Sequence, residues 1–422
     1  MSVPSATSFP VTMNSGFIFA LLLTGSALAA DFDLLITNAQ IADGGGGPLA
    51  HGSIAVKGER IVAVGQVEGS ADTVIDAGGM ICMPGFVDTH WHLWTSVLRP
   101  VIRIDDPKSG YQPVTNRLGQ FYTPEDSYRS VKLGLAEGLS AGATTVHNWA
   151  HNIRSPAHAD AELRAMRDIG LRGRLAYGTP MGYPDEQPMD LDGLAQIKRE
   201  WMPNDGMLTL GISSRNVGDT TNPLRGNISV ETARKDWGGA RALGLPITMH
   251  TSGPSPITLL ESSGLIGPDL QLVHPLLTTA AERQMLSKHG VSYSTSPTGE
   301  SRRAASAGVI QLAELLQAGV KVSISIDHTG SYACDYFQCM RILYALHQHR
   351  IAAGDVLGVG QVAIGVGRAG EVERFLDRHR QAVQRAPQLA AGQRLVGLAG
   401  AGPGAVFVQH HHGVDGAAQA VD

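Results

Sequence analysis

Three cysteines in 422 residues, Cys82, Cys334 and Cys339, are too few and too unevenly placed for a disulfide framework. Cys334 and Cys339 lie about five apart on an expected helix, which points them away from each other. Charge is also scarce. Only 17% of residues are charged, the net charge is −5 and no basic cluster occurs, so nucleic acid is excluded as the main partner. A membrane-spanning apolar run is missing too: Gly16 to Ala29 is apolar over roughly 14 residues, too short for a stable span. That stretch ends in Ala27-Leu28-Ala29, the small-x-small pattern of a signal-peptidase site, although no Lys or Arg precedes Gly16. Residues 1–30 therefore read as an export leader, which places the chain in the periplasm or outside the cell; without a genuine leader it stays cytoplasmic. Finally, no Gly-x-Gly-x-x-Gly loop follows any expected strand. This removes the open dinucleotide-binding sheet and leaves a cofactor-dependent oxidoreductase without support.

What is present is enough apolar residue, 43% of the chain, for a sizeable core. From Asp31 to about Ile75, short β-rich runs alternate with turns. Leu34-Leu-Ile-Thr, Gly52-Ser-Ile-Ala-Val and Arg60-Ile-Val-Ala-Val read as strands, and Asp43-Gly-Gly-Gly-Gly-Pro48 as a turn. Residues 31–79 are expected to form a small antiparallel sheet. After Met80 the rhythm becomes strand, loop, helix. Strands are expected at Ile81–Asp88, Ala143–Asn148, Arg174–Tyr177, Met207–Ile212, Pro246–His250, Leu270–His274, Val291–Ser296 and Lys321–Asp327. Amphipathic helices are expected between them, including Ala159–Ile169, Ile228–Leu243, Thr278–His289, Val309–Ala318 and Tyr332–Arg350. Another opens at Thr123-Pro-Glu-Asp126, with a capping box and proline at the first helical position, and carries Val131, Leu135 and Leu139 as its apolar stripe. Val/Ile-rich strands such as Lys321-Val-Ser-Ile-Ser-Ile suit parallel strands covered on both faces. Eight such units predict a (β/α)8 TIM barrel over residues 80–350.

Residues 351–422 break this pattern. They contain no Ser, Thr, Lys, Asn or Tyr, and only Glu371 to Leu389 reads as a helix. Such a composition is what a shifted reading frame in a GC-rich gene produces; a low-complexity tail is the plainer alternative. His410-His-His412 lies in this tail and is read as incidental.

Barrel enzymes carry their reactive groups at the C-terminal ends of strands. There the sequence places His90 and His92 on strand one, His250 on strand five, His274 on strand six and Asp327 on strand eight. Residues two apart on a strand share a face, so His90 and His92 can grip one ion together. Imidazole nitrogen and carboxylate oxygen suit Zn²⁺, and also Fe²⁺ or Mn²⁺. An incompletely coordinated cation acidifies bound water into a hydroxide nucleophile. Singly, His250 reads as a core histidine and Asp327 as a helix N-cap; the joint placement at four strand ends carries the argument.

With these residues in place, Met83-Pro-Gly-Phe-Val-Asp-Thr-His-Trp-His92 resembles the opening motif of the amidohydrolase superfamily, in its cytosine deaminase and chlorohydrolase-like branch. Gly142-Ala-Thr-Thr-Val and the strand-five, -six and -eight residues extend the resemblance over Asp31 to Arg350. It implies a metal-bearing (β/α)8 barrel and a β-sandwich built from both chain ends. It also implies that His90, His92, His250 and Asp327 are metal ligands, that His274 contacts the attacking water or substrate, and that Asp327 takes the water's proton.

Three departures qualify what it implies. Binuclear members carry a bridging lysine or glutamate after strand four, where Leu208-Thr-Leu-Gly-Ile-Ser-Ser-Arg215 has neither, so one divalent metal is expected. Ring deaminases of this branch carry a glutamate three residues after the strand-five histidine, where this chain has Gly253; His274 or Glu300 then becomes the proton donor. The returning Gly-x-x-x-x-Gly-Lys-x-Ala-Asp turn is absent after Arg350, so the C-terminal half of the sandwich is expected to be missing.

Four further residues are candidates for substrate binding: His147 and His151, read as following strand two, Arg215 after strand four, and Glu300 after strand seven. Their plainer readings are loop residues, a surface arginine and a solvated Glu300-Ser-Arg-Arg303 loop. His328 is expected to point away from Asp327 if the strand continues, and Trp91 to pack against the helices. The expected activity is hydrolysis of a C–N bond, an amide or an aminated ring carbon, in a small-molecule substrate, with a homo-oligomer left open. A catalytically impaired metal-binding relic is the alternative that the altered tail raises.

Overall fold

The computed structural model describes residues 30–352, apart from 104, 203–205, 221–226, 252–254, 275 and 308, together with residues 405–407. The expected leader, Gly253, the helix at Glu371–Leu389 and the His410–His412 run lie outside the described residues. No described helix is long and apolar enough to cross a membrane.

Two sheets organise the chain. The first contains β1 (Phe32–Ile41), β2 (Ala50–Lys57), β3 (Arg60–Gly65), β4 (Ala71–Asp76) and β5 (Ile81–Met83). The second is an eight-stranded parallel sheet of β6 (Phe86–Trp91), β7 (Ala143–Ala150), β8 (Arg172–Gly178), β9 (Leu208–Ser214), β10 (Ile247–His250), β11 (Leu270–Val273), β12 (Ser292–Thr295) and β13 (Lys321–Ile324), each beside the next. A last strand, β14 (Ala405–Phe407), pairs with β5.

The helices are α1 (Tyr111–Leu118), α2 (Pro124–Ser140), α3 (Pro156–Ile169), α4 (Leu191–Trp201), α5 (Val230–Ala242), α6 (Ile257–Ser262), α7 (Ala280–Lys288), α8 (Pro297–Ala307), α9 (Leu312–Gln317) and α10 (Tyr336–Ala352). The expected capping box opens α2: Thr123 accepts from the Asp126 N–H, and Asp126 accepts from the Thr123 N–H.

The (β/α)8 barrel is as expected, and three local readings need correction. Ile81–Asp88 is not one strand. Proline has no N–H to donate at position 84, and a side chain on Gly85 would stand 2.0 Å from Thr144. The chain therefore leaves the first sheet at Met83 and enters the barrel at Phe86. The first sheet is mixed rather than antiparallel, because β4 and β5 run parallel to β1; alternation reveals a strand but not its direction. The segment after Arg350 also contributes β14, three residues too short to show a period.

The main core lies between the barrel's outer face and the helices, where Val146, Leu175, Leu210, Ile247 and Leu272 meet Leu135, Leu163, Leu194 and Trp237. Trp91 belongs to it, facing Gly138 of α2, as expected. Inside the barrel the side chains are polar: Thr89 Oγ1 lies 2.8 Å from both Ser294 Oγ and Ser323 Oγ. The first and last barrel strands meet at a lone parallel bridge, Trp91 with Asp327. There His92 N–H donates to Asp327 O at 2.7 Å, and Asp327 N–H donates to His90 O at 3.0 Å.

Glu162 of α3 is fully buried, with Asn148 donating to it at 2.7 Å. Burial pushes its carboxyl up to about 8, so the folded state holds a proton that the unfolded chain releases near its ordinary pKa of about 4.3. The folded protein binds the extra proton between those values, and stability falls as pH rises through that window. Glu162→Gln mimics the protonated acid. Thermal unfolding of this variant from pH 5 to 8 should lose a decline of up to about 1.4 kcal/mol per pH unit that the parent shows.

Candidate metal centre

The strand ends bring the sequence-named ligands together. His90 Nε2 is 3.3 Å from Asp327 Oδ1 and 3.3 Å from His250 Nε2, and His92 Nε2 is 3.4 Å from the same Asp327 oxygen. Donors placed tetrahedrally about 2.0–2.1 Å from a shared centre are separated by about 3.3–3.4 Å, so these three contacts have the length that a four-coordinate ion such as zinc sets. His90, His92 and His250 form one group able to hold a metal, and His90, His274 and Asp327 another that overlaps it.

The electrostatics agree with that use. Burial lowers His90, and it holds His92 and His250 well below the usual histidine range, the neighbouring histidines adding to the effect. Burial alone would raise Asp327, but the His90 hydrogen bond and the His328 and His274 charges keep its carboxyl well below the ordinary range. Neutral imidazoles and an ionised carboxylate are the protonation states that bind a cation.

Backbone and neighbours fix these groups. His274 and Asp327 adopt left-handed φ of 69° and 71°, a conformation costly for residues with side chains and found where function requires it. His274 Nδ1 lies 2.9 Å from Glu300 Oε1, which also accepts from the Ser296 N–H; Thr295 donates to the other Glu300 oxygen. His274 therefore turns Nε2 toward the cluster, its ring stacked on His250 at 5.3 Å. His92 Nδ1 lies 2.9 Å from His151 Nδ1, which Trp94 Nε1–H also approaches at 3.1 Å. Trp94 can only donate, so His151 Nδ1 accepts and His92 carries its proton on Nδ1, leaving Nε2 free to coordinate.

The candidates for substrate contact separate. His151 backs His92. Glu300 is wholly buried on α8, so the reading of Glu300–Arg303 as a solvated loop is corrected: the carboxylate's bonds to His274, Thr295 and Ser296 draw it inward. Arg215 is neither a surface arginine nor turned toward the metal donors. It donates to the Pro184 and Gln187 carbonyls and pairs with Asp236 at 3.1 Å. His147 lies within β7, away from its end, and lines a cavity at the strand starts. His328 is buried between Tyr111 and Tyr332, with ring centroids at 4.2 and 4.7 Å. Strand alternation does not carry through to it, because β13 ends at Ile324 and Asp327 has positive φ.

Sequence reasoning missed Asp88. Its Oδ1 accepts from the His90 N–H, and its Oδ2 accepts from the Ile326 N–H and the Tyr336 hydroxyl. One carboxylate thus ties the strand of His90 to the strand of Asp327. Its place two residues before His90 was the available signal; the register shift between Asp88 and Trp91 then turns Thr89 into the barrel and Asp88 toward Tyr336 of α10. Trp149 was missed as well; its ring lies 4.1 Å from that of His250.

A closed parallel barrel with histidine and aspartate donors at its strand ends defines a metal-dependent hydrolase class. The Amidohydrolase family matches residues 81–359, and the chain belongs to that family. It is a metal-dependent hydrolase of carbon–nitrogen bonds other than peptide bonds. Among its relatives is the 5-methylthioadenosine/S-adenosylhomocysteine deaminase of Thermococcus onnurineus, 26% identical over 336 residues, covering 75% of this chain and 74% of the relative. Another is the 5'-deoxyadenosine deaminase of Methanosarcina barkeri, 25% identical, covering 78% and 77%. The fold matches an adenosine deaminase from Xanthomonas campestris solved with bound zinc, with TM-score 0.63, 21% identity and coverage of 76% and 75%. It also matches the zinc complex of atrazine chlorohydrolase from Arthrobacter aurescens, with TM-score 0.61, 19% identity and coverage of 74% and 76%. The reading as an impaired relic finds no support in these likenesses.

Asp88→Asn replaces one acceptor oxygen with an NH₂ that faces a donor. Urea unfolding should show a loss of about 1–3 kcal/mol, and metal titration an affinity about 10–100-fold weaker. Parent-like values in both would show that the carboxylate does not hold the two strands.

Proposed function

We propose that the protein hydrolyses the C–N bond of a small molecule bearing an aminated ring carbon or an amide, with one Zn²⁺ held by His90, His92, His250 and Asp327. The observation that carries this reading is the set of 3.3–3.4 Å contacts that links those donors, His90 with Asp327 and His250, and His92 with Asp327. Fe²⁺ and Mn²⁺ suit the same donors less closely. When bound, the ion acidifies the attacking water.

The remaining chemistry belongs to the chain. Asp327, kept ionised, accepts the water's proton. His274, held by Glu300 at Nδ1, presents Nε2 to the substrate and delivers a proton to the departing nitrogen. This assigns to a His–carboxylate pair the task that ring deaminases of this branch give to a glutamate at the position of Gly253. The deaminase names of the relatives put an aminated ring carbon first among substrates. Trp149 against His250, and Tyr111 at 6.0 Å from His92, supply aromatic walls for such a ring.

The purified chain, stripped with chelator and reloaded with zinc, would be assayed for ammonia release from aminated purines, pyrimidines and triazines, and for acid release from amides. Activity should vanish with the metal and return with zinc. Asp327→Asn should lower kcat by at least about 10²–10⁴-fold with circular dichroism unchanged. Normal turnover by that variant would sink the mechanism.

A further inference from the structure

The barrel is open to small molecules at its other end as well. A cavity of about 240 Å³ is lined by His147, Arg174, Asp269, Gln271 and Ser292. Ile247, Leu270 and Ser292, which begin β10, β11 and β12, place it at the strand starts, opposite the metal donors. His147 and Arg174 are register partners on β7 and β8, so their side chains enter it together. Gly211 makes room for the arginine stem: a side chain there would stand 3.1 Å from Arg174 Cδ.

The charge in this cavity is not balanced. Arg174 Nε is sealed from solvent and has no hydrogen-bond partner. Burial lowers Arg174, and no acid acts to raise it. Asp269 also lines the cavity, but Arg241 holds both its oxygens, at 2.8 and 3.1 Å. His147 is 8% exposed, and its Nε2 is likewise buried without a partner. Burial, and then the Arg174 charge, push its ring down to about 3, so it is neutral at pH 7, and it hydrogen-bonds to the Thr89 backbone and the Gln271 side chain. The cavity therefore holds the Arg174 guanidinium and the Ser292 hydroxyl, with the neutral His147 ring in its wall and a net positive charge. Prolines 246 and 268 form part of the wall and contribute no N–H. A water occupies about 30 Å³ of liquid, so the volume admits a four- or five-atom anion with some waters.

We propose that this cavity binds a small oxyanion, a phosphate or a carboxylate, held by Arg174 with His147 and Ser292 beside it. A planar guanidinium matches the oxygens of either group in pairs. This moves His147 from the metal-side substrate pocket to a separate site and does not depend on the substrate assigned above.

The test is thermal unfolding of the metal-loaded full chain, titrated with phosphate, acetate or chloride at constant pH and ionic strength. A saturable rise in Tm of about 3–6 °C at a hundred times the Kd is expected with an oxyanion. Phosphate alone would mark an inorganic or ester phosphate as the ligand; acetate acting as well would mark a carboxylate. Arg174→Gln should lose the rise while keeping its metal content, which separates this site from anion binding at the metal. Ser292→Asp should supply the missing charge internally, unfolding at higher temperature without added anion and ignoring phosphate; it carries the test if the arginine variant does not fold. Equal responses in parent and variants, an equal effect of chloride, or no saturable response would overturn the proposal.

Discussion

The seam between β6 and β13 is the constraint on which the rest of this structure depends. From β7 to β13 the strands are joined by regular parallel ladders, and β6 pairs with β7 through a parallel ladder with two register shifts. Here the described contacts include one backbone bridge at the metal-donor end, the His90 and His92 rings against Asp327, the Asp88 carboxylate, and Thr89, which donates to the Ile324 carbonyl and pairs with Ser323. Side chains replace backbone pairing along much of this seam. They can do so because the barrel interior is lined with hydroxyls that bond across it, where many barrels use branched apolar residues.

Strained backbone and paired side chains work together around that seam. The left-handed turn at His274 directly follows β11, and the one at Asp327 lies three residues beyond the end of β13. Such conformations persist only when the surroundings over-determine them. Glu300 does this for His274, and the His90 and His92 backbone does it for Asp327. His151 and Trp94 do the corresponding work on the His92 tautomer. The residues that surround the donors are thus as specific in their placement as the donors themselves.

Much of the barrel and the donor set was legible in the sequence because both follow short-range rules. Period-two strands and capped helices mark the eight units, and the C-terminal ends of parallel strands mark where reactive groups gather. Glu300 was named as a proton donor by position, yet its bonds to His274, Thr295 and Ser296 come from a helix that local composition did not reveal. Arg215 and Asp236 are 21 positions apart in sequence; only the packing of α5 beneath β9 makes them a buried pair. Asp88 joins Tyr336 across 248 positions, and no local pattern encodes a contact of that range. The direction of β4 and β5 was hidden for a related reason, since a strand's residues do not record which way its neighbour runs.

The seam also determines when the full set of candidate donors can assemble. His90 and His92 come early in the chain and Asp327 closes the last barrel strand, so a nascent chain or a half-barrel holds only part of the donor set. Loop closure over such a distance is completed only once the intervening units have stacked. The full set of candidate donors is therefore a property of the finished barrel, because Asp327 reaches His90 and His92 only once the last strand has met the first.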